Sequence, residues 1–336
     1  MNDESVRTIA DIARLAGVSK STVSRALSDS PLVADETKDR IRAIAREHKF
    51  QVSAPARRLS LKRSRTIAFV THAYHTCFSW VDLFGLEILG GITRGLYELG
   101  YDTLIAHVDP KDTTWIAQYL GTGRVDGFIL QTSSRKQYHV KELLKAQAPF
   151  IVWGAPLPGQ SYCSVIGDDV TGGRLATQHM ISRGCRRIGF IGGHPGEMEV
   201  MGRYRGYERA LQEAGLEIDE ALTAYGDYSD VSGAAEMNGL LDRAPDLEGV
   251  FVNSDVMAIA AMDALRERGR RVPEDVAVIG YDDLSIAAHS HPPLTTVRQS
   301  VPEVGRILAR NLVEYLETKM VTNVTVPVEL VVRESA

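Results

Sequence analysis

From Arg65 onward the sequence repeats one pattern: a short apolar run, then a stretch with apolar residues every three or four positions. Apolar runs fall at Thr66–Thr71, Asp102–Val108, Val125–Gln131, Pro149–Trp153, Ser164–Gly167, Arg187–Ile191, Gly249–Val252 and Val276–Gly280. Helical patterns between them include Leu86–Leu99, Gly172–Ser182, Tyr204–Ala214, Met257–Arg268 and Val304–Leu316. Glycines 100, 184, 215 and 269 close several of these, as helix C-termini often require. Strand–helix alternation builds parallel sheets covered by helices on both faces, so the fold class is α/β. About ten strands suit two lobes better than one sheet. The first lobe is expected at about 65–163 and 292–318, the second at about 164–291 and 319–336. The chain should cross near Tyr162–Ser164 and return near His291–Gln299, where Pro292 and Pro293 interrupt the pattern.

Residues 1–52 follow a different rule. Ile9, Ile12, Ala13 and Ala16 form one stripe of a short helix from about Thr8 to Leu15, and Gly17 ends it. Ser19 can cap a second helix, Lys20–Leu27, with Val23, Ala26 and Leu27 inward. Pro31 and Asp35 lead into a third through Ile41, Ile44 and Ala45. Two short helices joined by a glycine-containing turn are a helix-turn-helix head, or else a plain three-helix core. If the head reads DNA, the start of the second helix enters the major groove, exposing Lys20, Ser21, Ser24 and Arg25 to base edges. Thr8, Ser19, Thr22 and Ser28 stand where phosphates pass.

Charge supports a split chain. Residues 1–65 hold fourteen Lys and Arg against eight Asp and Glu, a surplus of six; the whole chain carries −5, so the remainder carries −11. A basic head on an acidic body favours a polyanion at one end only. Cys77, Cys163 and Cys185 are odd in number without metal spacing, reading as free thiols of a reducing cytoplasm. No apolar run spans a membrane, and MNDESVRTIADIARLAG lacks a basic-then-apolar export pattern. No cofactor or metal is called for.

The stretches TIADIARLAGVSKSTVSRAL and SPLVADETKDRI resemble the DNA-binding head of the lactose/galactose-repressor (LacI/GalR) family, and the likeness runs the length of the chain. The resemblance implies a regulator of transcription, usually a repressor. It makes residues 53–64, containing SAPARRLSL, a hinge that becomes helical on operator DNA. Pro55 suits a first helical turn, Arg57 faces DNA, and Leu59 matches a leucine that wedges into the minor groove. Gln51-Val52-Ser53 departs from the usual pattern, and a merely flexible linker is the alternative.

The body resembles periplasmic sugar-binding proteins, whose ligands lie between lobes at the C-terminal ends of parallel strands. The resemblance implies ligand-binding roles for Arg203 in MGRYRGY, Tyr228 in YGDYSDVSG, Asp255 in FVNSDVMA, Asp282 in GYDD and Gln299 in TTVRQ. Arg205 is the rival of Arg203; Tyr228 could be plain packing and Asp255 a helix cap. From the first lobe His72, Tyr74, Phe78 and Trp153 would face the cleft, with Gly154 where some relatives carry an acid. Glu197, Met198 and Glu199 stand where a purine-responsive relative would carry a basic residue, which favours a sugar. A purine-type corepressor and a transport-type sugar-binding protein are the alternatives.

Nucleotide-loop, zinc-protease and nucleophile-elbow motifs are missing, so an enzyme is not expected. Asp168–Asp169 and Asp282–Asp283 are adjacent, and neighbours on extended chain diverge; Asp169 should cap the helix near Thr171. Ligand and operator would bias one lobe closure against another, so each changes the other's affinity. The sequence stops after VPVELVV without a heptad tail, and the surface around Val81–Leu96 offers a dimer face, so a homodimer is expected.

Overall fold

The computed structural model describes residues 8–50, 63–72, 83–109, 112, 114–131, 138–156, 159 and 161–336. It divides into a unit ending at Ser64 and a unit from Arg65 to Ala336. In the first unit, α1 (Ile9–Ala16), α2 (Lys20–Leu27) and α3 (Asp35–Glu47) enclose Ile12, Val23, Ala26 and Ile41, all fully buried. Thr8 opens α1 with a capping box: its backbone amide donates to the Asp11 carboxylate, and the Asp11 amide donates back to its hydroxyl. Gly17 follows at φ +65°, a left-handed turn that glycine adopts without steric cost. Ser19 then caps α2 by accepting from the Thr22 amide at 3.1 Å.

The second unit holds two six-stranded sheets. The first runs β11 (Asn323–Val326), β5 (Cys163–Gly167), β4 (Phe150–Trp153), β3 (Gly127–Gln131), β1 (Thr66–His72), β2 (Asp102–Val108), every pairing parallel. The second runs β12 (Glu329–Val331), β10 (Thr295–Arg298), β9 (Ala277–Asp282), β8 (Gly249–Val252), β6 (Ile188–Gly192), β7 (Thr223–Tyr225). Only β12 is antiparallel to its neighbour there. Strand alternation divides each sheet's core between two faces: Ile67 and Phe69 pack on one side of β1, Ala68 and Val70 on the other.

The lobe boundaries differ from those expected. Strand β5 pairs with β4, so the chain leaves the first lobe after Gly167 rather than near Tyr162–Ser164. Strand β10 pairs with β9, which puts 295–298 in the second lobe and moves the return to Gln299–Ser300. Strand β11 pairs with β5 of the first lobe, and the chain crosses a third time to reach β12. Local signals such as the two prolines mark loops, whereas lobe membership is fixed by hydrogen bonding to strands far away in sequence.

Among the described residues seven α-helices cover the sheets: α4 (Leu83–Glu98), α5 (Tyr138–Lys145), α6 (Asp169–Ser182), α7 (Met198–Glu213), α8 (Asp230–Arg243), α9 (Asp255–Glu267) and α10 (Val301–Thr318). Two pairs approach to backbone contact. A Cβ on Gly91 of α4 would lie 2.1 Å from the Pro302 carbonyl oxygen of α10, and one on Gly173 of α6 would lie 2.0 Å from that of Arg203 on α7. The second contact sets where the Arg203 side chain starts.

Candidate functional site

Helix α2 presents Lys20, Ser21 and Arg25 exposed and Ser24 half-buried, while Val23 and Ala26 face the head's core. A polar strip of this length, one helix face wide, matches the reach of a helix laid in a major groove. Several hydroxyls already hold the head together. Thr8 and Ser19 are caps, Ser19 lies 2.9 Å from the Thr22 hydroxyl, and the Ser28 hydroxyl donates to the Ser24 carbonyl at 2.9 Å. Behind the strip, Arg42 and Lys38 of α3 both pair with Asp29, at φ +59° in the turn after α2. Arg57 and Leu59 lie outside the described residues.

In the body, polar side chains gather at the C-terminal ends of β5, β6, β8 and β9 and on the crossing after β10. Arg203 is their centre. It is 6 % exposed; its Nε donates to Asp169 Oδ1 at 2.8 Å, its Nη1 to the Asn253 carbonyl at 2.7 Å, and its guanidinium lies 3.7 Å over the Tyr281 ring. Burial opposes the charge, but Asp169, Tyr281, Tyr228 and Asp282 more than offset it and hold the guanidinium above its ordinary pKa. Arg205 points away into a shallow surface hollow with Tyr204, Glu208 and Tyr225.

Asp282 accepts from Gln299 Nε2 at 2.6 Å. Burial pushes its carboxyl up to about 7, against the pull of Arg203 and Gln299. Gln299 bridges the lobes: its Oε1 lies against Gly167 at the end of β5, where a Cβ would come within 2.4 Å, and Trp153 borders the same glycine. Phe84 of α4 stacks on Trp153, centroids 6.0 Å apart. Tyr228 packs its ring on Gly193, and its hydroxyl donates to Glu197 at 3.4 Å. Backbone strain collects here: Tyr228, Asp282, Asp283 and Ser300 all carry positive φ. Strained residues persist where surrounding structure over-determines them, as at ligand sites.

Two carboxylates behave otherwise than expected. Asp168, not Asp169, caps α6 through the Thr171 amide at 3.1 Å, which leaves Asp169 to Arg203. Ser254, not Asp255, caps α9. The Asp255 carboxylate is fully buried beneath Gly280, taking the Leu284 amide at 2.7 Å and the Thr296 hydroxyl at 2.5 Å. Burial and the Asp282 charge hold Asp255 well above the usual carboxylate range, and it fastens the loop after β9. Asp283 diverges from Asp282 to pair with Arg298 and Arg333, each at 2.6 Å.

Comparison with known proteins gives this arrangement a family. Residues 8–53 match the model of bacterial regulatory proteins of the lacI family, and residues 177–336 match a periplasmic binding protein-like domain. The HTH-type transcriptional regulator CelR of Thermobifida fusca is 38% identical over 333 residues, covering 98% of each chain. The chain belongs to the lacI family of bacterial regulatory proteins. Among solved structures, a transcriptional regulator CelR–cellobiose complex is 35% identical with a TM-score of 0.75, covering 98% of this chain and 99% of that one. A lac repressor dimer bound to operator and the anti-inducer ONPF is 25% identical with a TM-score of 0.81, covering 98% of each.

This lacI-family regulator brings Arg203, Tyr228, Asp282 and Gln299 into one cluster, with Trp153 across the lobe junction and Asp255 beneath it. Tyr74 and Phe78 lie outside the described residues, as does the His72 side chain. Sequence reasoning gave Asp169 only a capping role, read Glu199 only as a sign of ligand class, and missed Tyr281 and Asn253. Asn253 directly follows β8 and is fully buried; its amide nitrogen donates to the Ile191 carbonyl while Oδ1 has no partner among the described residues. Its place at a strand end was the available signal, and the acid two residues on drew attention instead.

Proposed function

We propose that this regulator binds a two-fold operator as a homodimer, α2 of each head in the major groove, and that a neutral saccharide of the cellobiose kind releases it. On this reading it works in the cytoplasm, where operator DNA is. The observation that carries the ligand class is a set of buried oxygens around Arg203 that have no partner among the described residues: Glu199 Oε2, Asn253 Oδ1 and Gln299 Oε1. Each is an acceptor. Leaving such groups unpaired costs free energy, so the ligand that suits them brings several donors. Sugar hydroxyls do so, and a sugar's C–H face suits the rings of Tyr228, Trp153 and Phe84. A purine base such as hypoxanthine brings two ring N–H donors, fewer than the hydroxyls of a sugar, and leaves part of this acceptor set unmatched.

Arg203 complements the acceptor set by donating to ring or linkage oxygens. The relative crystallised with cellobiose supports a disaccharide over other sugars. The test is operator binding by fluorescence anisotropy, on a duplex selected from a random pool, titrated with cellobiose, glucose and hypoxanthine. Cellobiose is expected to lower operator affinity at least tenfold. A rise in affinity makes the ligand a corepressor, and a response to hypoxanthine alone overturns the saccharide assignment.

A further inference from the structure

We propose that Glu199 is the specificity-determining residue of the effector site, the charge that admits unphosphorylated saccharides and turns away phosphorylated ones. This rests on the saccharide reading above. Three observations carry it. Glu199 stands in the first turn of α7, and its Oε2 is buried with no partner among the described residues. Arg203 lies one helical turn further along α7, so the carboxylate borders the one guanidinium buried in the cluster among the described residues. That guanidinium, the natural anchor for a phosphate, already holds Asp169 at 2.8 Å, and Glu197 and Asp282 are buried in the same cluster.

A phosphate arriving at Arg203 would therefore meet four carboxyl groups around one cation. Three of them are engaged: Asp169 by Arg203, Asp282 by Gln299 and Glu197 by the Tyr228 hydroxyl. Glu199 keeps an open acceptor, so it both repels an anion and rewards a hydroxyl. Charged acceptors make stronger hydrogen bonds than neutral ones. Burial and the neighbouring Asp169 and Glu197 charges raise its carboxyl above the ordinary range, so the site gains from a donor that satisfies it. The effector's chemistry then implies its source: a sugar delivered without phosphorylation, or released by hydrolysis of a larger saccharide.

The experiment compares full-length wild type, Glu199→Gln and a control, Glu208→Gln, which removes a charge from the outer side of the same helix. Calorimetric titration with cellobiose, cellobiose 6-phosphate and hypoxanthine reads affinity, and a thermal shift with inorganic phosphate needs no saccharide. Wild type and Glu208→Gln should bind cellobiose and ignore both phosphates. Glu199→Gln should lose at least tenfold in cellobiose affinity, acquire measurable binding of the 6-phosphate, and gain at least 2 °C in Tm with millimolar phosphate. If wild type binds hypoxanthine and no saccharide, the saccharide reading fails; the phosphate arm still judges Glu199. A variant with wild-type discrimination and no phosphate shift overturns the role of Glu199 alone.

Discussion

Asp282 shows how one residue divides stability from function. Its carboxyl titrates near 7 in the folded chain, against about 3.8 when exposed. Between those values the folded state holds a proton that the unfolded state has lost, so raising pH through this range erodes stability. Asp282→Asn removes the titration and keeps an oxygen for Gln299. The variant should melt higher than wild type at pH 8, the gap shrinking toward pH 5, while its ligand response is lost. A gap that is constant with pH would rule out Asp282 as its source. Arg203→Ala should lose the response with the donor it removes, and it should also lose stability, because it strands Asp169 in a buried place. Removing one partner of a buried pair costs about 3–5 kcal/mol, so urea unfolding should reveal a large loss, largely restored by the double change with Asp169→Asn. These side chains were only partly legible in the sequence. Resemblance pointed to Arg203 and Asp282, but the division of labour between Asp168 and Asp169, or between Asn253 and Asp255, depends on where a helix starts. A one-residue shift in that start moves a carboxylate from cap to cluster.

Helix boundaries were legible where side chain and backbone chemistry agree locally. Gly17, Ser19 and the Lys20–Leu27 limits of α2 were readable because capping involves residues no more than three apart. Ser19→Ala should therefore destabilise the head by about 1 kcal/mol, seen as a lower first transition in a thermal scan. Arg25→Ala should instead relax base preference, costing about 1–3 kcal/mol at the base it reads; uniform weakening on all duplexes would make Arg25 a phosphate contact. The contact between α6 and α7 was not legible, since a glycine in a helical pattern does not announce what crosses it. Gly173→Ala must push the helices apart against the Arg203 carbonyl, and overpacking of this kind costs about 1–3 kcal/mol.

At the scale of the whole body, alternation of strand and helix declared the α/β class and three crossings between lobes, whereas each crossing was expected several residues too early because its exact place depends on pairing between distant strands. The crossings concentrate coupling. The loop after β9 belongs to the second lobe, yet Leu284 and Ile286 pack into the first lobe's core, and the Ser285 amide donates to Glu87 of α4 at 2.9 Å. Asp255 holds the same loop from the other side through Leu284. On the saccharide reading Asp282 faces the ligand, and it lies three positions from Ser285, so filling the cluster pulls on a loop that is latched to the opposite lobe. A latch of this kind favours one lobe closure over the other. Ligand and operator select opposite closures when the ligand is an inducer, so loosening the latch must move their affinities in opposite directions. Glu87→Ala should accordingly strengthen one of cellobiose binding and operator binding and weaken the other, by about threefold or more, measured separately by calorimetry and anisotropy. Parallel changes would mean that Glu87 contributes only to folding, and unchanged affinities would mean that the Ser285 contact is equally strong in both closures.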